Sequence, residues 1–272
     1  MSIKHKFCPI CAEATSAAFI AKVLRKYEVT YFYCKSCGLL QTEKPYWLPE
    51  AYSDTITCSD TGLVHRNINI SHRLTVLLFF LFEMRARYLD TAGGTGLLTR
   101  MMRDAGFDFY WRDDYCQNIH ARGFEFDSTH LPYRAVTACE VLEHVEDPVT
   151  YISEVLSQSG TDTVIFTTIL YKGQPPEPGK WWYYSHESGQ HISFYQRRTL
   201  DCIAQKLRLR LFTHGAFHMM TKRDVSSLIY RLSVSRISHI ISPTIRLLVT
   251  SKTMTDCVKM LNAPSAPSQR QP

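Results

Sequence analysis

The stretch YLDTAGGTGLLTRMMRDAG, residues 88–106, constrains the fold of this chain more than any other. A short apolar run ends in an acid, Asp90, and a glycine-rich turn follows. Leu97, Leu98, Met101, Met102 and Ala105 then recur at helical spacing until Gly106. Strand, tight turn and helix in that order open a parallel sheet with crossover connections, and ligands bind at the carboxyl edge of such sheets. The alternation continues along the chain. FDFYW reads as a second strand ending at Asp113 and Asp114, AVTACEV (135–141) as another, and DTVIFTTILY (162–171) as a strand covered on both faces. Between the last two, EDPVTYISEVLSQSG carries the marks of a helix: Asp147 at the N-cap, Pro148 in the first turn, Gly160 past the end. TLDCIAQKL is helical, and LRLRLFT and AFHMMTK around His214 and Gly215 predict an antiparallel hairpin. The expected class is α/β, a doubly wound sheet ending in that hairpin.

Four of the nine cysteines form two pairs, CPIC (Cys8, Cys11) and CKSC (Cys34, Cys37). Each C-x-x-C turn presents two sulfurs from one knuckle, and two knuckles close a tetrahedral zinc site with no open position. A redox C-x-x-C is the competing reading, but that motif occurs singly. A module this small buries little core, so a structural metal explains how it folds. The residues between the knuckles fit the strands of a small N-terminal zinc ribbon, with VTYFYC leading into the second. Cys58, Cys116, Cys139, Cys202 and Cys257 are scattered and expected to be packed or inert. MSIKHKFCPI lacks the apolar core of a signal peptide, and the longest apolar run, TVLLFFLF (75–82), is far short of a membrane span. A cytoplasmic protein with reduced thiols is the expectation. The division expected is a zinc-ribbon module over 1–46, a connector and helical segment over 47–86, a catalytic domain over 87–221 and a C-terminal helical segment with a disordered tail over 222–272. The catalytic domain carries an aromatic insertion at 172–196.

The glycine turn excludes two guests. G-x-G-x-x-G fails because Thr99 stands at the third glycine position, and no Gly-Lys-Ser/Thr follows as a phosphate loop requires. S-adenosylmethionine has no phosphate; it carries a sulfonium and an ammonium beside an adenosine. Asp90 is a suitably placed anion, Gly94 and Gly96 let the backbone approach the ligand, and Asp113 can accept ribose hydroxyls. A ligand-free tight turn is the plainer alternative.

Residues 87–221 resemble the class I S-adenosylmethionine-dependent methyltransferases, a Rossmann-like fold. LDTAGGTG is similar to their first motif, with Ala92 in place of its first glycine and Gly93, Gly94 and Gly96 following. ACEVLEHVEDP resembles their fourth-strand motif, which implies that Glu140, Glu143 and His144 lie near cofactor and acceptor. Asp127, Ser128 and Thr129 fall where the third strand meets adenine. WWYYSHESGQHISFY (181–195) resembles a block in members with a zinc module that act on sugars or small metabolites. Sugar C-methyltransferases of that kind place a histidine at the positions of His144 and His191. They carry a glutamate where this chain has Gln190, and use a tyrosine for which Tyr52 is the nearest candidate. The resemblance implies methyl transfer to a sugar-like hydroxyl or carbon, with His144 or His191 as base. A helix-capping His144, a structural His191, a solvated His186 and a self-packed lid of Trp181, Trp182, Tyr183 and Tyr184 are the competing readings.

Two other functions compete. An RNA base methyltransferase could grip RNA with its zinc module, and a net charge of +6 permits it, but Glu13, Glu28 and Glu43 interrupt any basic face. A non-catalytic zinc-dependent scaffold is suggested only by Ala92. Residues 228–249 are apolar with spaced arginines, and can be read as a membrane-surface segment, a helix over the domain or a dimer contact, with Pro243 interrupting them. Oligomeric state is left open.

Overall fold

The computed structural model describes residues 7–53 and 60–262. The first six residues, the segment holding Cys58 and the proline-rich tail lie outside the described residues. The chain opens with three antiparallel strands, β1 (Ser16–Val23), β2 (Tyr27–Tyr33) and β3 (Leu40–Thr42). One cysteine knuckle precedes β1 and the other joins β2 to β3. A short helix, α1 (Leu48–Ala51), ends at Tyr52, and a long one, α2 (Leu63–Leu81), leads to the main sheet.

That sheet begins with β4 (Arg87–Thr91), α3 (Leu97–Asp104) and β5 (Asp108–Arg112). After a long excursion come β6 (Ala135–Cys139), α4 (Pro148–Ser159) and β7 (Thr163–Thr167). A two-residue strand, β8 (Ser193–Phe194), precedes α5 (Arg197–Lys206), and β9 (Arg210–His214) and β10 (Phe217–Thr221) form the hairpin. The order is β5-β4-β6-β7-β10-β9, with β4 to β7 parallel and β10 antiparallel to both neighbours. The chain leaves β4 to one side and returns to β6 on the other, so a crevice opens between their carboxyl ends. Three helices close the described residues: α6 (Ser227–Ser233), α7 (Ser238–Leu248) and α8 (Thr253–Asn262). Helices α2, α3 and α6 pack on one face of the sheet and α4 and α5 on the other.

The helix punctuation has its physical cause. Asp147 accepts hydrogen bonds from the amides of Val149 and Thr150, and Gly160 ends α4 in the left-handed conformation. The third strand expected by resemblance is replaced by one parallel bridge, Trp111 to Glu125. Asp127 there caps a single turn over Ser128–His130 rather than ending a strand. Pro243 does not interrupt its segment either: α7 runs through it, and the break falls between Ser233 and Ser238.

The N-terminal sheet is joined to the rest. β8, near the end of the aromatic insertion, pairs with β3 as its fourth strand. Trp181, Tyr183 and Tyr184 pack against Tyr31 and Phe194 on that sheet, so only Trp182 of the four aromatics is exposed, at 76%. His186 stacks on Tyr184 at 5.1 Å and is half-buried, not solvated.

Candidate active site and cysteine cluster

A cleft of about 1640 Å³ follows the carboxyl edge of the main sheet, from the glycine turn to the histidines. The turn is tight. Ala92, Gly94 and Gly96 all have positive φ, at 50°, 55° and 83°. At Ala92 a side chain tolerates a conformation that suits glycine. A Cβ on Gly93 would meet Trp111 at 2.8 Å and Asp90 at 2.9 Å, whereas one on Gly94 would meet nothing within 4 Å. Gly94 therefore faces the open cleft. Gly96 does not: a Cβ there would meet Asn118 Oδ1 at 2.7 Å and Ala121 at 3.1 Å, and it serves the turn.

Two acids flank the turn. Asp90 is buried; its carboxylate accepts from Thr137 Oγ1 at 2.6 Å and from Thr99 Oγ1 at 3.2 Å. Loss of solvation pushes its carboxyl up to about 7, against those two bonds. Asp113 accepts three backbone N–H groups, from Gly94, Tyr115 and Cys116, each at 2.8 Å. It thus locks the glycine turn to the end of β5. Asp114, beside it, also lines the cleft and is mostly exposed. Asp127, Ser128 and Thr129 do not line it.

Past β6 the backbone turns at Glu140, whose φ is 56°. Its carboxylate accepts from Thr167 Oγ1 at 2.6 Å and lies 3.9 Å from the Arg66 guanidinium of α2, which is itself paired with Asp60. Glu143 is fully buried behind the cleft wall and does not line it. Tyr183 Oη donates to Glu143 Oε1 at 2.6 Å, and Oε2 has no partner among the described residues. Burial, then the charge of Glu140, pushes the Glu143 carboxyl up to about 8.

His144 and His191 both line the cleft, with ring centroids 4.9 Å apart. Burial is the main force depressing both, His144 to about 3 and His191 to about 4. His191 Nδ1 lies 2.7 Å from the Tyr183 carbonyl. A carbonyl only accepts, so Nδ1 carries the proton and Nε2 of the neutral ring keeps its lone pair. His144 Nδ1 lies 2.9 Å from Tyr52 Oη. Two bonds deliver Tyr52 to that point: Gln190 Nε2 donates to the Ala51 carbonyl at 2.9 Å, and Trp47 Nε1 to the Gly189 carbonyl at 2.8 Å. Tyr52, Tyr183, Thr167 and Arg66 are site-forming residues whose places depend on contacts far apart in the chain. Of these, Tyr52 and Tyr183 stand in motifs of the sequence; Thr167 and Arg66 do not.

The four cysteines of the two pairs are brought together. Cys8 and Cys37 sulfurs are 3.5 Å apart, Cys11 and Cys34 sulfurs 3.4 Å, and all four lie within 4.8 Å of one another. Bonds of about 2.3 Å to a tetrahedral zinc would set sulfurs roughly 3.8 Å apart. None of the four is in a disulfide, and the cluster fits the metal. Of the other described cysteines Cys257 is exposed rather than packed.

Solved structures are similar to the chain at a distance. An O-methyltransferase family 2 protein from Planctomyces limnophilus, complexed with apigenin, is 14% identical, with a TM-score of 0.42 over 64% of this chain and 66% of its own. The chain therefore spans just under two thirds of that protein's length. A possible histamine N-methyltransferase from Thermotoga maritima is 16% identical, at 0.41 over 65% of this chain and 97% of its own. The Burkholderia thailandensis 1,6-didemethyltoxoflavin N1-methyltransferase is 13% identical, at 0.48 over 77% and 100%. The acceptors of proteins this remote say nothing about the acceptor here. No curated protein matches the chain. The family described as a methyltransferase domain matches residues 65–213, more than half the chain, so the protein belongs to that family.

Proposed function

We propose that this methyltransferase acts on a small, sugar-like acceptor and that His191 is its general base. One observation carries the reading: the Nδ1 proton of His191 is fixed on the Tyr183 carbonyl, which leaves Nε2 unprotonated in a cleft shared with Asp90 and the glycine turn. The bound cofactor supplies an electrophilic methyl group on a sulfonium. Asp90 holds the cationic part of it, Ala92, Gly93 and Gly94 form the floor, and Gly96 keeps the turn. Asp113 and Glu140 bound the adenosine and methionine sides. His191 removes the acceptor proton, and Tyr52 with His144, beside it, orients the acceptor. Glu143 acts from behind, through Tyr183, as a positioning residue. The cysteine cluster holds a structural zinc that keeps 1–46 folded against the catalytic domain of 87–221 and its insertion at 172–196.

The experiment is a panel of nucleotide-sugars and simple glycosides incubated with labelled cofactor, wild type against His191→Asn and His144→Asn. Methyl transfer to a sugar that His191→Asn abolishes, with cofactor affinity intact by calorimetry, supports the proposal. Unchanged turnover in His191→Asn removes it. Zinc is counted by elemental analysis: about one per chain is expected from the chemistry of four clustered thiolates, and none in Cys8→Ser/Cys34→Ser.

A further inference from the structure

Helices α6 and α7 carry an outer surface unsuited to water. α7 buries Ser238, Ser242 and Ile245, at helical spacing, toward α2. Its opposite side exposes Ile240 at 77% and Leu247 at 87%, seven residues apart and so on one stripe. α6 buries Tyr230 and Ser233 and exposes Leu228, Ile229 and Leu232. A water-facing stripe on a surface helix normally carries polar side chains.

The charge on this segment is one-sided. Between Asp224 and Asp256 there is no acidic residue, while Arg231, Arg236, Arg246 and Lys252 all fall there. The two bounding acids are already engaged, Asp224 with Arg210 and Asp256 with Arg100 and Arg103. Arg231 and Arg236 are exposed and have no ion-pair partner among the described residues.

The occupant of such a surface must be apolar and anionic together. A second copy of this chain meets only the first condition. A two-fold contact would set the patch against itself, arginine facing arginine, with no carboxylate to relieve them. A bilayer with anionic headgroups meets both, offering an acyl boundary to the leucines and isoleucines and phosphates to the arginines. We infer that α6 and α7 form a docking surface for an anionic lipid bilayer. Ile240 and Leu247 enter the acyl boundary while Arg231 and Arg236 meet the headgroups. No helix among the described residues is long and apolar enough to cross a membrane, so the contact is peripheral.

The surface also communicates with the site. Arg236, which is exposed, and His239 line the same cleft as Asp90 and His191. The cleft therefore reaches the exterior beside the apolar stripe, and a docked molecule would take its acceptor from the membrane side.

The test uses the full chain and vesicles of phosphatidylcholine with and without phosphatidylglycerol, read by co-sedimentation. Partition onto the anionic vesicles is expected to be at least about tenfold stronger and to fall with added salt. Arg231→Gln should weaken it about fivefold, the equivalent of one basic residue at a charged surface. Ile240→Asp/Leu247→Asp should abolish it. Neither variant touches the cleft, so demethylated-cofactor affinity by calorimetry should match wild type and report that each has folded. Equal partition onto neutral and anionic vesicles at low salt overturns the inference. So does retention of binding by the folded double aspartate variant, or a dimer in sedimentation velocity that this variant dissolves, which would mark an interface between copies. A wild-type chain that binds cofactor but neither kind of vesicle would overturn this inference and leave the proposed function standing.

Discussion

Asp90 sits where a carboxylate is least well solvated, and only two threonine hydroxyls compensate it. Its carboxyl, raised by burial to about 7, binds a proton in the folded chain at pH values where the unfolded chain has released it. The sign follows. Below the unfolded value near 4 the group costs nothing; as pH rises toward 7 the cofactor-free fold loses stability, and the loss persists above 7. A cationic ligand reverses this by favouring the charged form. Asp90→Asn is therefore expected to raise the melting temperature of the cofactor-free protein at pH 8. The same change should weaken demethylated-cofactor binding roughly 10- to 100-fold, the loss of hydrogen bonds to a charged group. Calorimetry and thermal melts check both, and unchanged affinity would refute the role given to Asp90. The histidines give a second residue-level expectation. Because burial depresses His191 to about 4, its ring stays neutral well below the ordinary value of 6.5, so the acid limb of kcat/KM should fall near pH 4 to 5. Stability behaves differently: buried neutral histidines bind fewer protons than unfolded ones below 6.5, so the fold weakens as pH falls from there. Activity measured over brief assays should outlast the melting temperature on acidification. Tyr52→Phe removes the hydroxyl beside His144 and is expected to lower kcat about 100-fold with little change in cofactor affinity.

At the scale of elements, the cysteine module and the catalytic sheet are one piece of packing. Cys8, Cys34 and Cys37 share a core with Leu200 and Ile203 of α5, Thr199 Oγ1 donates to the Cys37 carbonyl, and Arg198 donates to the Lys35 carbonyl and to Tyr33 Oη. The connector leaving this module ends at Tyr52, and β8, its fourth strand, starts two residues after His191. If the four cysteines hold the proposed zinc, chelating it should therefore disturb the acceptor side first. Turnover is expected to fall at least about tenfold, as a displaced catalytic group costs, while cofactor affinity on the far side of the cleft stays within about twofold. An equal loss of both would show that the metal holds the whole domain. These couplings also mark the limit of what the residues reveal in order along the chain. The glycine turn, the Asp147 cap, the Gly160 stop and the hairpin at Gly215 are legible because each is set by chemistry within a few residues. β8 is two residues long and owes its form to β3, more than 150 positions earlier, so no periodicity announces it. The third strand expected by resemblance fails for a local reason: Asp127 caps a turn over Ser128–His130. Both histidines could be read from motifs. The geometry that distinguishes them, a carbonyl behind one and a tyrosine behind the other, is tertiary.

For the whole molecule, α8 is fastened beside the cofactor end of the cleft by a buried ion pair, to which Arg100 adds a second, less buried one. Arg103 of α3 is 4% exposed and Asp256 of α8 is 8% exposed; Arg103 Nε and Nη2 donate to the two carboxylate oxygens at 2.7 and 2.8 Å. The remaining guanidinium nitrogen donates to Asp108 and to the Phe109 carbonyl, and the group lies 3.6 Å over the Phe124 ring. Helical periodicity placed Leu98 and Met102 on the buried side of α3 but gave no reason for an arginine there, because its partner lies 153 residues away. A buried pair adds little over an apolar one, yet removing one partner leaves a charge stranded in low dielectric. Asp256→Ala should thus cost about 3 kcal/mol, on the order of a 10 °C fall in melting temperature, with Asp108 limiting the damage. Arg103→Met/Asp256→Leu, which removes both charges and keeps the volume, should recover most of it. Thermal melts of the two variants decide the matter: a single variant no less stable than wild type would mean that α8 is not held by this pair. The helix adjoins α3, which begins at the glycine turn, so a lost clamp should also be read as weaker cofactor binding, and only in Asp256→Ala.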